Sequence, residues 1–179
     1  MKTTILAATL ASSVCAGAQA PAPKPAPHPT PHPAPAASDE TRIRQILERW
    51  RVAFEKKDVG GVMSIYSRDV VAYDIVPPLQ YVGFEAYRRD YQDFFAQYSG
   101  PLRVEMRGLH VTAGDKVAVA FMLERVTGTL KGGEPSDLWL RATQTYRKVD
   151  GRWLAVHDHI SVPADLATGK AALDLKPSG

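Results

Sequence analysis

Two alternating segments joined at Asp150-Gly151 constrain this chain more than any other feature. The stretch Leu138 to Pro163, LWLRATQTYRKVDGRWLAVHDHISVP, reads as a β-hairpin. An Asp-Gly pair readily takes the two positive φ angles that a tight hairpin turn requires. Side chains alternate along a strand, so each strand sorts into two faces. On the second, Leu154, Val156, Asp158, Ile160 and Val162 share one face, and Trp153, Ala155, His157, His159 and Ser161 the other. The first set is more apolar and is expected to face a core; a bulge would reverse the assignment. Asp158 then projects inward, where a carboxylate needs a partner. On the first strand Leu140, Ala142, Gln144 and Tyr146 form the matching apolar face, with Trp139, Arg141, Thr143, Thr145 and Arg147 opposite.

The rest of the chain supplies what this hairpin packs against. Ser38 can cap a helix whose first turn holds Asp39 and Glu40, and Ile43, Ile46, Leu47, Trp50 and Phe54 recur at helical spacing. Asp58 can cap a second, short helix with Val62, Ile65 and Tyr66 as its apolar stripe. Val70 to Val76 is β-branched and predicts a strand stopped by Pro77-Pro78, with a shorter strand at Tyr81-Val82. An aromatic helix follows from Phe84 to about Tyr98, carrying Tyr87, Tyr91, Phe94 and Phe95, and Gly100-Pro101 is expected to end it. Strands are then predicted over Leu102–Thr112, Lys116–Thr129, Asp137–Val149 and Arg152–Val162. Helices gathered on one face of an antiparallel sheet make an α+β fold. A short helix is expected near Asp165–Leu173 in the tail, residues 164–179.

The folded domain is expected over residues 39–163. Before it, residues 1–18 read as a secretory signal: Lys2, an apolar core from Ile5 to Val14, then Ala16-Gly17-Ala18 as a cleavage site. That core is too short to span a bilayer, and no later segment is long enough, so an exported, periplasmic or secreted protein is expected. Residues 19–38 form a proline-rich linker suited to an extended spacer. Cys15, the only cysteine, falls within the signal, which predicts a mature domain without disulfides. Lipid anchoring at Cys15 is the alternative, disfavoured by Val14 where a small residue belongs. The formal charge of +3 is spread among interleaved acids and bases, which argues against a nucleic-acid groove. His28 and His32 sit in the linker, and His157 with His159 supplies two of the three or four ligands a zinc site needs, so no metal is expected. Phosphate loops and serine or cysteine nucleophile motifs are absent from the sequence, and nothing in it argues for a cofactor.

Three motifs in order, WRVAFEKKD (50–58), IYSRDVVAYD (65–74) and VGFEAYRRDY (82–91), resemble the nuclear transport factor 2-like superfamily, which includes the SnoaL-like and ketosteroid-isomerase-like proteins. The end, TYRKVDGRWLAVHDHIS (145–161), also resembles the association domain of calcium/calmodulin-dependent kinase II. The resemblance implies a cone, in which a curved antiparallel sheet wraps three helices around a deep pocket, and pairing through the sheets into a homodimer. Arg141, His157 and His159 would then lie near the dimer seam. It also implies a role for Asp74, which falls on the general-base aspartate of the steroid isomerases. Physically, a carboxylate among Val70, Ala72 and Val76 is desolvated, which raises its pKa toward that of a useful base; the alternative is that Asp74 only caps the loop near Pro77. The isomerases' oxyanion tyrosine falls on Trp50, a weaker acid. Gln144 and Ile160 stand where the kinase domain carries pocket arginines. The expected function is therefore binding of a small, mostly apolar molecule in a pocket lined by Trp50, Tyr66, Asp74, Tyr91, Phe95, Gln144, Tyr146 and Asp158, with Asp74 as base or polar anchor. An isomerase, cyclase or hydratase-like enzyme and a non-catalytic dimerisation module are the alternatives.

Overall fold

A computed structural model describes residues 37–177. The signal, Cys15, His28, His32 and most of the linker lie outside the described residues. The first helix, α1 (Asp39–Glu55), starts as its sequence dictates: the Ser38 hydroxyl accepts from the Thr41 N–H at 3.2 Å. It buries Ile43, Ile46, Leu47, Trp50, Ala53 and Phe54 on one face. The Asp58 side chain accepts from the Gly61 N–H at 3.0 Å and starts α2 (Val59–Met63). This helix is shorter than expected. Tyr66 does not belong to it but opens β1 (Tyr66–Tyr73), because Tyr66 is claimed by a strand partner, Ala155. The strand therefore begins four residues before the expected Val70. It also ends before Asp74, whose own carboxylate captures the Ile75 N–H at 2.6 Å.

The short β2 (Tyr81–Val82) leads into α3 (Phe84–Ala96), capped by Gly83 at a φ of 87°. The helix stops before Tyr98, and Gly100-Pro101 lies inside the following strand rather than ending the helix. That strand, β3 (Tyr98–Ala113), is at the sheet edge and shifts register between Ser99 and Arg103. An edge bulge is where a proline is tolerated. β4 (Val117–Leu130), β5 (Pro135–Val149) and β6 (Arg152–Ser161) complete a meander. The turn between β5 and β6 holds Asp150 and Gly151 at φ 48° and 75°. The six-stranded open sheet has the order β2-β1-β6-β5-β4-β3, and its helices pack on one face. Antiparallel pairing holds throughout except at one seam, where β1 runs parallel to β6. The expected tail helix is replaced by a small hairpin, β7 (Ala164–Asp165) with β8 (Lys170–Ala171). Gly169 at φ 69° suits that turn and not a helix.

One bulge decides the faces of β6. Thr145 pairs with His157 but Tyr146 with Ala155, so Val156 is an extra residue. Beyond it Asp158 faces the core, as expected; before it the expected parity inverts. Trp153 and Ala155, not Leu154 and Val156, are the buried residues. Turned inward, the Trp153 indole donates to Asp39 Oδ1 at 2.9 Å, and Lys148 reaches Asp39 Oδ2 at 2.6 Å. These contacts fasten the start of α1 to the β5–β6 hairpin. Among the described residues no helix is long and apolar enough to cross a membrane.

Candidate functional site

Between the helices and the inner sheet face lies a cavity of about 340 Å³. α1 contributes Trp50 and Phe54, and α3 contributes Tyr87, Asp90, Tyr91, Asp93 and Phe94. The segment after β1 contributes Asp74, Ile75, Val76 and Pro77, followed by Tyr81. The sheet contributes Glu124 and Val126 from β4, Leu138 and Leu140 from β5, and Ile160 from β6. The walls are thus aromatic and aliphatic, interrupted by carboxyl groups. A second concavity of about 410 Å³, between α1 and the β5–β6 turn, is bordered by Arg42, Arg49 and Arg152 and is more open to solvent.

Three of the residues expected in the pocket line the cavity: Trp50, Asp74 and Tyr91. The others are placed differently. Phe95 packs edge-on against Phe54 in the core. Tyr66, Gln144, Tyr146 and Asp158 form a sealed hydrogen-bonded network outside the lining. Asp158 Oδ2 accepts from the Tyr66 hydroxyl at 2.5 Å, the Tyr87 hydroxyl at 3.1 Å and Gln144 Nε2 at 3.1 Å. The Tyr146 hydroxyl donates to Gln144 Oε1. Tyr66 and Tyr91 hydroxyls meet at 2.9 Å, and Trp50 Nε1 donates to the Tyr91 hydroxyl at 3.3 Å. Since Tyr66 donates to Asp158 and Tyr91 accepts from Trp50, the bonds run one way: Trp50 to Tyr91 to Tyr66 to Asp158. Three cavity-lining side chains, Trp50 and Tyr91 through this chain and Tyr87 directly, are thereby connected to a carboxyl group that solvent cannot reach. Burial raises the Asp158 pKa, and the Tyr66, Tyr87 and Gln144 hydrogen bonds oppose the rise.

The cavity acids are strongly perturbed. Burial pushes Asp74 up to about 6, against the opposing hydrogen bond from the Ile75 N–H. Asp90 lies within hydrogen-bonding range of Asp74, and burial followed by the Asp74 charge pushes it to about 7. Glu124 is 2 % exposed and its Oε1 has no partner among the described residues. Burial, then the charges of Asp158 and Asp74, raise it to about 8. Carboxyl groups with such values hold or release protons near neutrality.

Asp90 and Glu124 were not among the residues expected from sequence, yet both left a signal. Ala118, Ala120, Met122 and Val126 alternate on the inner face of β4, and Glu124 is the acid in that row. Asp90 lies three residues after Tyr87 on the buried stripe of α3. The parity test applied to Asp158 finds the first, and helical spacing finds the second.

Arg141, His157 and His159 lie on the outer sheet face, with Arg141 and His159 exposed. His157 Nδ1 donates to the Val71 carbonyl at 2.8 Å, and both imidazoles meet the Tyr73 ring edge-on. Among the described residues no group of three or more His, Cys, Asp or Glu is arranged to hold a metal ion.

A cavity enclosed by a bent, open sheet and N-terminal helices defines a nuclear transport factor 2-like fold. The SnoaL-like domain model matches residues 43–165, and the chain belongs to that family. A nuclear transport factor 2-like protein of unknown function from Pseudomonas putida KT2440 is 36% identical, with 77% of this chain and 96% of that one covered and a TM-score of 0.71. A Xanthomonas campestris protein, provisionally described as a calcium/calmodulin dependent protein kinase II association domain, is 24% identical, covering 71% of this chain and 89% of that one, with a TM-score of 0.62. A ketosteroid isomerase-like protein from Erwinia carotovora atroseptica is 20% identical, covering 69% and 95%, with a TM-score of 0.60. The last two likenesses speak to fold alone. No curated protein matches the chain.

Proposed function

We infer that this chain is an exported binding domain that takes a small, mostly apolar molecule into the cavity, with Asp74 as polar anchor. The observation that carries this reading is the 340 Å³ hollow itself, walled by aromatic and aliphatic side chains and bordered by Asp74. Its size lies at the low end of the roughly 300–1,000 Å³ of ligand pockets, and its mixture of apolar walls and a few polar groups is typical of them. Native mass spectrometry of the protein purified from its host is expected to show a retained small molecule and a mature chain beginning after Ala18. Saturable uptake of the neutral fluorophore N-phenyl-1-naphthylamine is expected as well, and its loss in a cavity-filling Leu140→Trp variant. Absence of both adduct and dye uptake refutes the reading.

The Asp74 carboxyl favours a second reading, in which the bound molecule is also turned over. A base with a pKa of about 6 at the wall of a mostly apolar cavity suits proton abstraction from carbon in an isomerase, cyclase or hydratase-like reaction. Asp74→Asn then abolishes turnover of an identified substrate; an unchanged rate eliminates this mechanism. The same chain is proposed to pair through its outer sheet face, where Val117, Val119 and Phe121 stand exposed on β4, with the two histidines on β6 and Tyr73 on β1 further across the sheet.

A further inference from the structure

The cavity gathers acids and has no base to balance them. Asp74, Asp90, Asp93 and Glu124 line it, while no Lys, Arg or His lines it among the described residues. Lys57 does not line it either; its ammonium is held 2.8 Å from the Tyr98 carbonyl. Asp74 and Asp90 both line the cavity, and between about pH 6 and about pH 7, where the first has lost its proton and the second holds it, the pair carries one negative charge. Glu124 stands on the opposite, sheet side of the cavity, buried and with Oε1 unpartnered. Buried polar groups are nearly always satisfied, so a carboxyl group without a partner in the wall of a hollow marks a place where a ligand completes the bonding. The remaining walls are rich in aromatic rings, the side chains whose faces attract cations: Trp50, Phe54, Tyr87, Tyr91 and Phe94. The carboxyl groups are not arranged as a metal cage, and an anionic guest would meet only like charge.

We propose that the molecule bound in this cavity is a cation, a substituted ammonium on a one- or two-ring apolar body, with its nitrogen between the Asp74–Asp90 pair and Glu124 and its rings against the aromatic wall. This rests on the reading of the cavity as a ligand site. A neutral guest leaves the pair's charge unbalanced, and a carboxylate or phosphate adds to it. The single negative charge of the pair matches one positive charge on the guest.

The test separates the two readings. Displacement of N-phenyl-1-naphthylamine from the full mature chain is measured with benzyltrimethylammonium and with its uncharged carbon isostere, neopentylbenzene. The cation is expected to displace the dye at a concentration at least about tenfold lower, equivalent to about 1.4 kcal/mol. In an Asp74→Asn/Asp90→Asn double variant the ratio between the two probes is expected to fall to within about twofold. Dye uptake with equal displacement by both probes overturns the cation proposal and leaves the ligand-site reading standing. Survival of the preference in the double variant also overturns it. Failure of the dye to bind together with the absence of a retained molecule overturns both readings; if a molecule is retained without dye uptake, its identity decides, an amine supporting the cation proposal and an uncharged or acidic molecule overturning it. Should the double variant not fold, the parent chain is measured at about pH 4.5 and at about pH 7 instead: a ratio that falls to within about twofold at the lower pH, where the Asp74–Asp90 pair is protonated, supports the proposal, and an unchanged one refutes it.

Discussion

Replacing Glu124 by glutamine should change how stability depends on pH, and the size follows from where the side chain lies. Glu124 is buried on the inner face of β4, and its pKa rises from the ordinary 4.5 to about 8. An unfolded chain releases this proton near pH 4.5, whereas the folded chain holds it to about pH 8. Between those values the folded state binds one proton more, so stability falls as pH rises. Each pH unit in the window costs about 1.4 kcal/mol, and the whole window about 5 kcal/mol at most. Below pH 4.5 both states are protonated and the term vanishes; above pH 8 it is constant. The amide of the variant never ionises, so the stability of Glu124→Gln relative to the parent should grow through pH 5, 6, 7 and 8 and then level off. Asp74 and Asp90, raised to about 6 and 7, add the same sign of slope to both proteins and largely cancel in the difference. Urea denaturation at fixed ionic strength measures the difference directly. Parallel curves from pH 5 to 8 would show that Glu124 is hydrated or paired, and would remove the basis for treating it as a desolvated cavity acid.

Other outcomes follow from single contacts. Tyr66→Phe deletes the 2.5 Å bond to Asp158 and leaves the Tyr91 hydroxyl without its acceptor; a loss of about 1.5–3 kcal/mol is expected by chemical denaturation, and a change under about 0.5 kcal/mol would mean the network is not a structural unit. Ser38→Ala removes the bond to the Thr41 N–H and should cost about 1 kcal/mol, read as a lower midpoint with an unchanged m-value. Phe121→Arg places a charge on the exposed outer face of β4; sedimentation at micromolar concentration should show a dimer becoming a monomer, and a parent that already sediments as a monomer would discard sheet-to-sheet pairing.

Much of this fold is legible along the chain because its signals are local. Asp150-Gly151 takes positive φ at both positions by intrinsic preference, Ser38 and Asp58 satisfy the first N–H groups of their helices, and the inward row of β5 follows from alternation alone. Asp158 could be assigned to the interior on the same ground. The failures have one kind of cause, competition from a distant partner. Tyr66 has the spacing of a helix stripe but pairs with Ala155, far away in sequence, and the helix yields to the strand. Val156 is an unremarkable strand residue in the sequence, yet the pairing of Thr145 with His157 and of Tyr146 with Ala155 leaves it out of register. That single extra residue turns Trp153 and Ala155 inward while leaving Asp158 where alternation places it.

The residue types needed for a site could be read one by one, since a carboxyl group in an apolar row announces itself by its cost of desolvation. Their grouping could not. Asp74 follows β1, Asp90 lies on α3, and Glu124 comes from the middle of β4; only the bending of the sheet over the helices brings them to one hollow. The same packing that draws these three together closes the tyrosine network around Asp158, a division between open cavity and sealed core that depends on distances of a few ångströms. Local chemistry settles which side chains are able to act, and the closure of the sheet on the helices decides which of them act together.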